Sequence, residues 1–344
     1  MKIAYSIFIG TVACILTSVG YAQTVNVTNW VPVNHPLVTG VIKPLCDDFA
    51  RVTEKRVKCN ILPKSVSAAA QTFDAVRDGI ADLAFIVDGY TAGRFLLSTV
   101  AEFPLSGQTA EVNSVAYQHI YDQYLADANE HKGVKVLAVF THGPGQLYTG
   151  TREVKTMADF SGLKLRTGGG IVNDVIKLLG ATPMLKPAPD VYELMSGGII
   201  DGFVFNKDSP VSFNLYPLVK NALYMPGGLY NVAFTIIMNE SKWDSISAAD
   251  RAAIEPLLGE ALARRAGHTY DKADIRADTV MRDAGINILM ASPGLIAQIR
   301  EKTSGLEEKW IQQVESRGVD GAKVLQAFRL ETAAQVASST NPSK

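Results

Sequence analysis

Beyond residue 23 the apolar positions change period repeatedly, and each change marks an element. "TVNVTNW" (24–30) alternates with period two, as a half-buried strand does, and "HPLVTGVIKPLCDDFARVT" (35–53) puts apolar residues at helical spacing. "VKCNILP" (57–63) reads as a second strand, 71–79 as a short helix closed by Gly79, and "ADLAFIV" (81–87) as a third, buried strand. A loop rich in glycine and aromatics, "DGYTAGRFLLSTVAEFPL", leads to a helix around 111–130. "VKVLAVF" (134–140) follows, a continuous apolar run typical of a parallel strand covered on both faces. This alternation predicts a doubly wound α/β domain.

A second α/β series begins near Tyr148. "LKLRT" (163–167) is a strand, 171–179 a helix, "TPMLK" (182–186) a strand and "DVYELMS" (190–196) a helix behind Pro189, ending at Gly197. "IDGFVFN" (200–206) is the next strand, and "YNVAFTIIMNE" (230–240) a long β-rich run crossing back between domains. From Ala248 to Ala284 the pattern stays helical, interrupted weakly by Gly259 and Gly267, long enough to span both units. "INILM" (286–290) is a last strand, and 293–316 and 320–337 are C-terminal helices. The expected domains are 23–147 plus about 233–284, and 148–232 plus about 285–337, with a disordered tail at 338–344. Two α/β units joined by crossing strands and a spanning helix make a hinged clamp, with ligand at the carboxyl ends of the strands, where two sheet edges face one cleft.

Composition narrows what such a clamp can hold. Lys2 precedes the apolar run "IAYSIFIGTVACILTSVG", and small residues at Gly20 and Ala22 then suit cleavage before Gln23, so residues 1–22 read as a secretory signal and the mature protein as periplasmic. A permanent anchor fits less well, because Gly10, Thr11, Thr17 and Ser18 dilute a short run, and "TVAC" lacks the leucine of a lipoprotein signal. The 33 Lys and Arg, one of them lost with Lys2, stand against 34 Asp and Glu, with no basic stripe, so nucleic acid is not an expected partner. Five scattered histidines show no metal spacing. Cys46 and Cys59 flank a helix-to-strand connection, and in an oxidising compartment the expectation is a bridge, with two buried thiols as the alternative.

"KLRTGGGIVNDVIKLLGATP" (164–183) carries the strongest chemistry. In its strand Leu163 and Leu165 share one face, so Lys164 and Arg166 share the other, and Arg166 stands at the carboxyl end. Its planar fork matches a carboxylate, and the amides after Gly168–Gly170 are expected to open toward the same place. The alternative is a structural salt bridge. "THGPGQLYTG" (141–150) offers Gln146 as a carboxylate donor, or only a turn between strands; His142 alone is a weak signal. Just past strand ends stand Phe205, Asn206 and Asp208, then Tyr90, then Trp30 and Asn34, each readable as cleft wall or as turn and packing residue. No GxSxG elbow, reactive-cysteine setting or marked acid pair supports catalysis. The chain reads as a binder.

The segments "GYTAGRFLLSTVAEFPL", "HGPGQLYT", "MADFSGLKLRTGGG", "LGATPMLKPAPDVYELMSGGIIDG" and the helix after "SISAADRAAI" resemble the substrate-binding proteins of tripartite ATP-independent periplasmic (TRAP) transporters, in the dicarboxylate-binding-protein family, over about 24–335. The resemblance implies a periplasmic-binding-protein-like α/β clamp without cofactor or metal. It implies a monomer that captures an organic acid and delivers it to the small and large membrane subunits of an ion-gradient-driven permease. It puts the carboxylate-binding arginine on Arg166 and a polar ligand contact on Asn206. Where many members carry "DGxENP", this chain has the longer, more apolar "DGFVFNKDSP". Phe203, Phe205 and Tyr90 accordingly point toward an aromatic or branched acid. The competing classes are an exported lyase or hydrolase acting on organic acids, which turnover would reveal, and a sensor protein presenting ligand to a membrane receptor.

Overall fold

The computed structural model describes residues 22–340; the export signal expected over 1–22 lies, but for Ala22, outside the described residues, as do 341–344 of the expected tail. Eleven strands form in chain order: β1 (Gln23–Val27), β2 (Val57–Ile61), β3 (Leu83–Val87), β4 (Val134–Thr141), β5 (Gln146–Thr149), β6 (Lys164–Thr167), β7 (Thr182–Leu185), β8 (Gly202–Phe205), β9 (Asn221–Tyr224), β10 (Ala233–Asn239) and β11 (Asn287–Met290). They sort into two sheets, ordered β2-β1-β3-β10-β4 and β11-β9-β5-β8-β6-β7. The apolar runs account for this: β3, β8 and β10 are buried at every position, as strands between helical layers must be.

The chain passes between the sheets three times, through 142–145, through 225–232, and along the long helix Glu260–Asp283. After each of the first two crossings it enters the new sheet antiparallel: β5 runs against β8 and β9, and β10 against β3 and β4. The long helix packs on the 110–120 helix and β4 beside the first sheet, while Met281 near its end joins the core cluster of Tyr148, Phe203 and Phe205 beside the second. It therefore spans both halves. Gly267 does not weaken it: a Cβ there would lie 2.4 Å from Glu111 Cα, so the glycine lets two helices approach closely.

Several elements differ from expectation. The single helix over 248–284 is two, Ala248–Ile254 and Glu260–Asp283, because Pro256 removes a backbone donor and Gly259 turns the chain at φ +56°. The 293–316 helix likewise breaks between Thr303 and Leu306. The helix expected around 111–130 is regular only over Ala110–Ile120. β5, inside the 141–150 junction where no strand was marked out, and β9, four residues unmarked by period, are both strands. The last helix, Gly321–Thr340, runs through 338–340, where a tail was expected. It packs on the 110–120 helix of the first half rather than on the second sheet, to which the sequence reading assigned it. Cys46 and Cys59 are bonded, their Cα atoms 5.5 Å apart, tying the 43–52 helix to β2. No helix among the described residues is long and apolar enough to cross a membrane.

Candidate ligand-binding cleft

Where the carboxyl ends of β1, β3, β4, β6 and β8 converge, a narrow cavity lies between the halves. Trp30, Val87, Tyr90, His142, Arg166, Gly168, Phe205, Phe213, Tyr230, Phe234 and Tyr270 are among its walls, together with His35 and Ser209. No Asp, Glu or Lys among the described residues lines it.

Arg166 is anchored rather than mobile. Alternation along β6 buries Leu165 against the core on one face and sends Arg166 from the other toward the strand's carboxyl end, where it is only 1% exposed. Its Nε donates to the Lys186 carbonyl at 2.7 Å and one Nη to the Tyr90 hydroxyl at 3.3 Å. Phe205 lies beneath the guanidinium, its ring centroid 4.2 Å from Cζ, a cation–π contact that fixes the plane. No carboxylate among the described residues pairs with it, so the salt-bridge alternative does not apply. Two of its five N–H groups are used; the remainder can take a planar anion end-on.

Tyr90 reaches across the cleft from the turn after β3. Its oxygen accepts from Arg166 and from the Ala188 amide at 2.9 Å, which leaves its O–H free to donate. Burial raises its pKa, so the phenol stays protonated. The two histidines are neutral as well. Burial pushes His35 down to about 3 and His142 to about 4, and the Arg166 charge adds to the shift at His142. Among the described residues, Arg166 is thus the one formal charge on the cavity wall.

The glycines after β6 do something other than expected. The Ile171 amide does not open into the cavity; it donates to Glu102 Oε2 at 3.3 Å, while Glu102 Oε1 accepts from the Ala233 amide at 3.1 Å. Gly170, at φ +68°, has no room for a side chain: a Cβ would meet Glu102 Oε2 at 2.4 Å. A Cβ on Gly169 would fall 2.0 Å from the Gly89 carbonyl oxygen. The triplet therefore allows two turns from opposite halves to meet, with Glu102, pushed up to about 7 by burial, capping the 171–178 helix across the junction.

The profile of bacterial extracellular solute-binding protein family 7, the DctP family, matches residues 27–313. The chain belongs to that family. Among solved structures, this family 7 protein is similar to a TRAP periplasmic solute-binding protein from Bordetella bronchiseptica with bound (R)- and (S)-mandelate, at TM-score 0.89 and 39% identity, covering 90% of this chain and 99% of that one. A marine-metagenome TRAP solute-binding protein specific for aromatic acid ligands, in complex with 3-hydroxybenzoate, matches at TM-score 0.86 and 32% identity, covering 92% and 99%. Among curated relatives, the outer membrane transporter protein TsaT of Comamonas testosteroni is 29% identical over 301 residues, 87% of this chain and 89% of that one. Members of the family are binding proteins of transporters rather than enzymes, and the two-domain α/β fold is theirs.

Of the residues singled out in the family 7 sequence, Trp30, Tyr90, Arg166, Gly168 and Phe205 line the cavity. Gln146, Asn206 and Asp208 do not. Gln146 accepts from the Met225 amide at 2.6 Å and donates to the Pro144 and Met225 carbonyls, pinning two interdomain crossings together. Asn206 donates to Asp274 Oδ1 at 2.9 Å and accepts from Ser209, and Asp208 accepts from Ser212, so all three side chains are spent on the scaffold. Phe203 stacks on Tyr148, away from the cavity wall. Sequence reasoning passed over Tyr230, Phe234 and Tyr270, which look like core aromatics in their elements, and set His142 aside as a loop histidine.

Proposed function

We propose that this protein captures an aromatic carboxylic acid in the periplasm, by pairing its carboxylate with Arg166. It then delivers the acid, as a monomer without cofactor, to the small and large membrane subunits of a TRAP permease. The carrying observation is a guanidinium 1% exposed with no acidic partner among the described residues. An unpaired buried charge costs several kcal/mol, and an anionic ligand removes that penalty. The rest of the wall supports an aromatic body over a second charge. Trp30, Tyr90, Phe205, Tyr230, Phe234 and Tyr270 surround the space, and no second cation lines it, so the far carboxylate of a C4 dicarboxylate would be buried unpaired. The neighbours with bound mandelate and 3-hydroxybenzoate point the same way. A cleft walled by residues of a single chain supports the monomer. The sheets also support a division into 23 to about 142 with about 233–284, and about 146–232 with about 285–320, the last helix docking back on the first unit.

A thermal-shift screen tests the ligand class. Benzoate, mandelate or 3-hydroxybenzoate at about 100 times its dissociation constant is expected to stabilise by about 2.7 kcal/mol, with succinate and malate inert. Stabilisation by the dicarboxylates alone would overturn the aromatic reading, and turnover of any of these acids would overturn the transport reading.

A further inference from the structure

We propose that His142 sets the specificity of this cleft: its Nε2 accepts a hydrogen bond from a hydroxyl group on the bound aromatic acid. The inference rests on the reading that Arg166 holds the carboxylate, and it adds a second polar requirement to the ligand.

His142 is the first residue after β4, 3% exposed and on the cavity wall. Its Nδ1 lies 2.5 Å from the Gly143 carbonyl oxygen. A carbonyl only accepts, so Nδ1 carries the ring proton and Nε2 presents a bare lone pair. The peptide that receives this bond is itself held: Gly143 is wedged against Asp274, whose Oδ2 would be 2.2 Å from any Cβ there. The edge-on rings of Tyr230, Phe234 and Tyr270, at 5.6, 5.8 and 6.2 Å, fix the imidazole plane. Yet Nε2 is buried and has no hydrogen-bond partner among the described residues. Buried acceptors are nearly always satisfied, and one left bare on the wall of a ligand cavity calls for a donor on the ligand.

The cavity also says what kind of donor. An ammonium group would face Arg166 with no carboxylate on the wall to offset it. A neutral O–H has no such penalty. The neutral ring suits it, since burial and Arg166 both hold the imidazole unprotonated near neutral pH. The preferred ligand is thus an aromatic acid with a hydroxyl on its side chain or ring.

Titration calorimetry with two pairs differing by one hydroxyl, mandelate against phenylacetate and 3-hydroxybenzoate against benzoate, tests this on the exported protein. In at least one pair the hydroxy acid is expected to bind at least about tenfold tighter, the cost of leaving a buried acceptor bare. In His142→Phe that ratio is expected to fall below about threefold. Deoxy acids that bind wild type as tightly as their hydroxy partners would overturn this inference and leave the aromatic-acid reading intact. A hydroxyl preference that persists in His142→Phe would do the same. Failure of all four acids to bind would overturn both. Should the variant not fold, ¹⁵N NMR of wild type decides: the His142 Nε2 resonance is expected to move with the hydroxy acid beyond its deoxy partner, and an equal response to both overturns the proposal.

Discussion

Arg166 is held from two sides and stacked from below, so its free N–H edge meets a ligand without reorganising. Truncating one partner of a buried, hydrogen-bonded charge pair costs about 2–5 kcal/mol, so Arg166→Ala is expected to weaken binding of the cognate acid roughly 30- to several-thousand-fold by calorimetry. Arg166→Lys is expected to be nearly as poor, since it loses the bond to the Lys186 carbonyl and the fork together. Binding by Arg166→Ala within about threefold of wild type would make the arginine structural. Asp274 gives a different test. Burial pushes its carboxyl up to about 7, with the Asp208 charge adding to the shift. A raised carboxyl favours the folded state fully below its ordinary value of 3.8, and that contribution is lost as pH rises through about 7. Asp274→Asn keeps an acceptor for Asn206 and the Asp208 amide. Its melting temperature relative to wild type is therefore expected to climb between about pH 4 and pH 7, and a flat difference would contradict the assignment. Arg166 was legible in the sequence because strand alternation and a strand end are local facts. The commitment of Asn206 to Asp274, 68 residues away, was not, because only the fold brings the long helix past β8.

At the scale of elements, the turn after β3 and the turn after β6 meet through glycines. A Cβ on Gly89 would lie 2.9 Å from both Gly169 C and Gly170 N, backbone atoms that yield only if the turns part. Gly89→Ala is therefore expected to leave the fold intact and to weaken acid binding roughly 5- to 150-fold, the 1–3 kcal/mol typical of overpacking. Unchanged affinity would mean that this contact does not belong to the ligand-bound state. The Cys46–Cys59 bridge acts elsewhere. Closing a loop of 13 residues' separation, it is expected to contribute about 3 kcal/mol, so the double serine variant should unfold at lower denaturant with acid affinity unchanged. A loss below about 1 kcal/mol would contradict the loop-entropy account. β3, β8 and β10 were legible here because burial on both faces writes continuous apolar runs. The break at Pro256–Gly259 was equally written, but the helical pattern on either side masked it. β5 and β9 each adjoin a crossing, and the turn residues beside them, Gly143–Gly145 and Pro226–Gly228, mask them.

At the scale of the whole molecule, three crossings let two sheets face each other across one cavity, and Tyr90 and Glu102 bridge that junction from the first half to Ala188 and Ile171 of the second. The clamp was legible as alternating periods plus an over-long helix. The docking of the last helix on the first half was not, since an amphipathic stripe does not name the surface it covers. The central claim is that this clamp closes on the carboxylate of an aromatic acid. Calorimetric titration with benzoate against benzamide, and mandelate against mandelamide, changes that one group and little else. The account predicts that at least one acid binds and that its amide binds at least about thirtyfold more weakly, the low end of the cost of an unpaired buried charge. Amides that bind within about threefold of their acids, or two acids that do not bind at all, would contradict it.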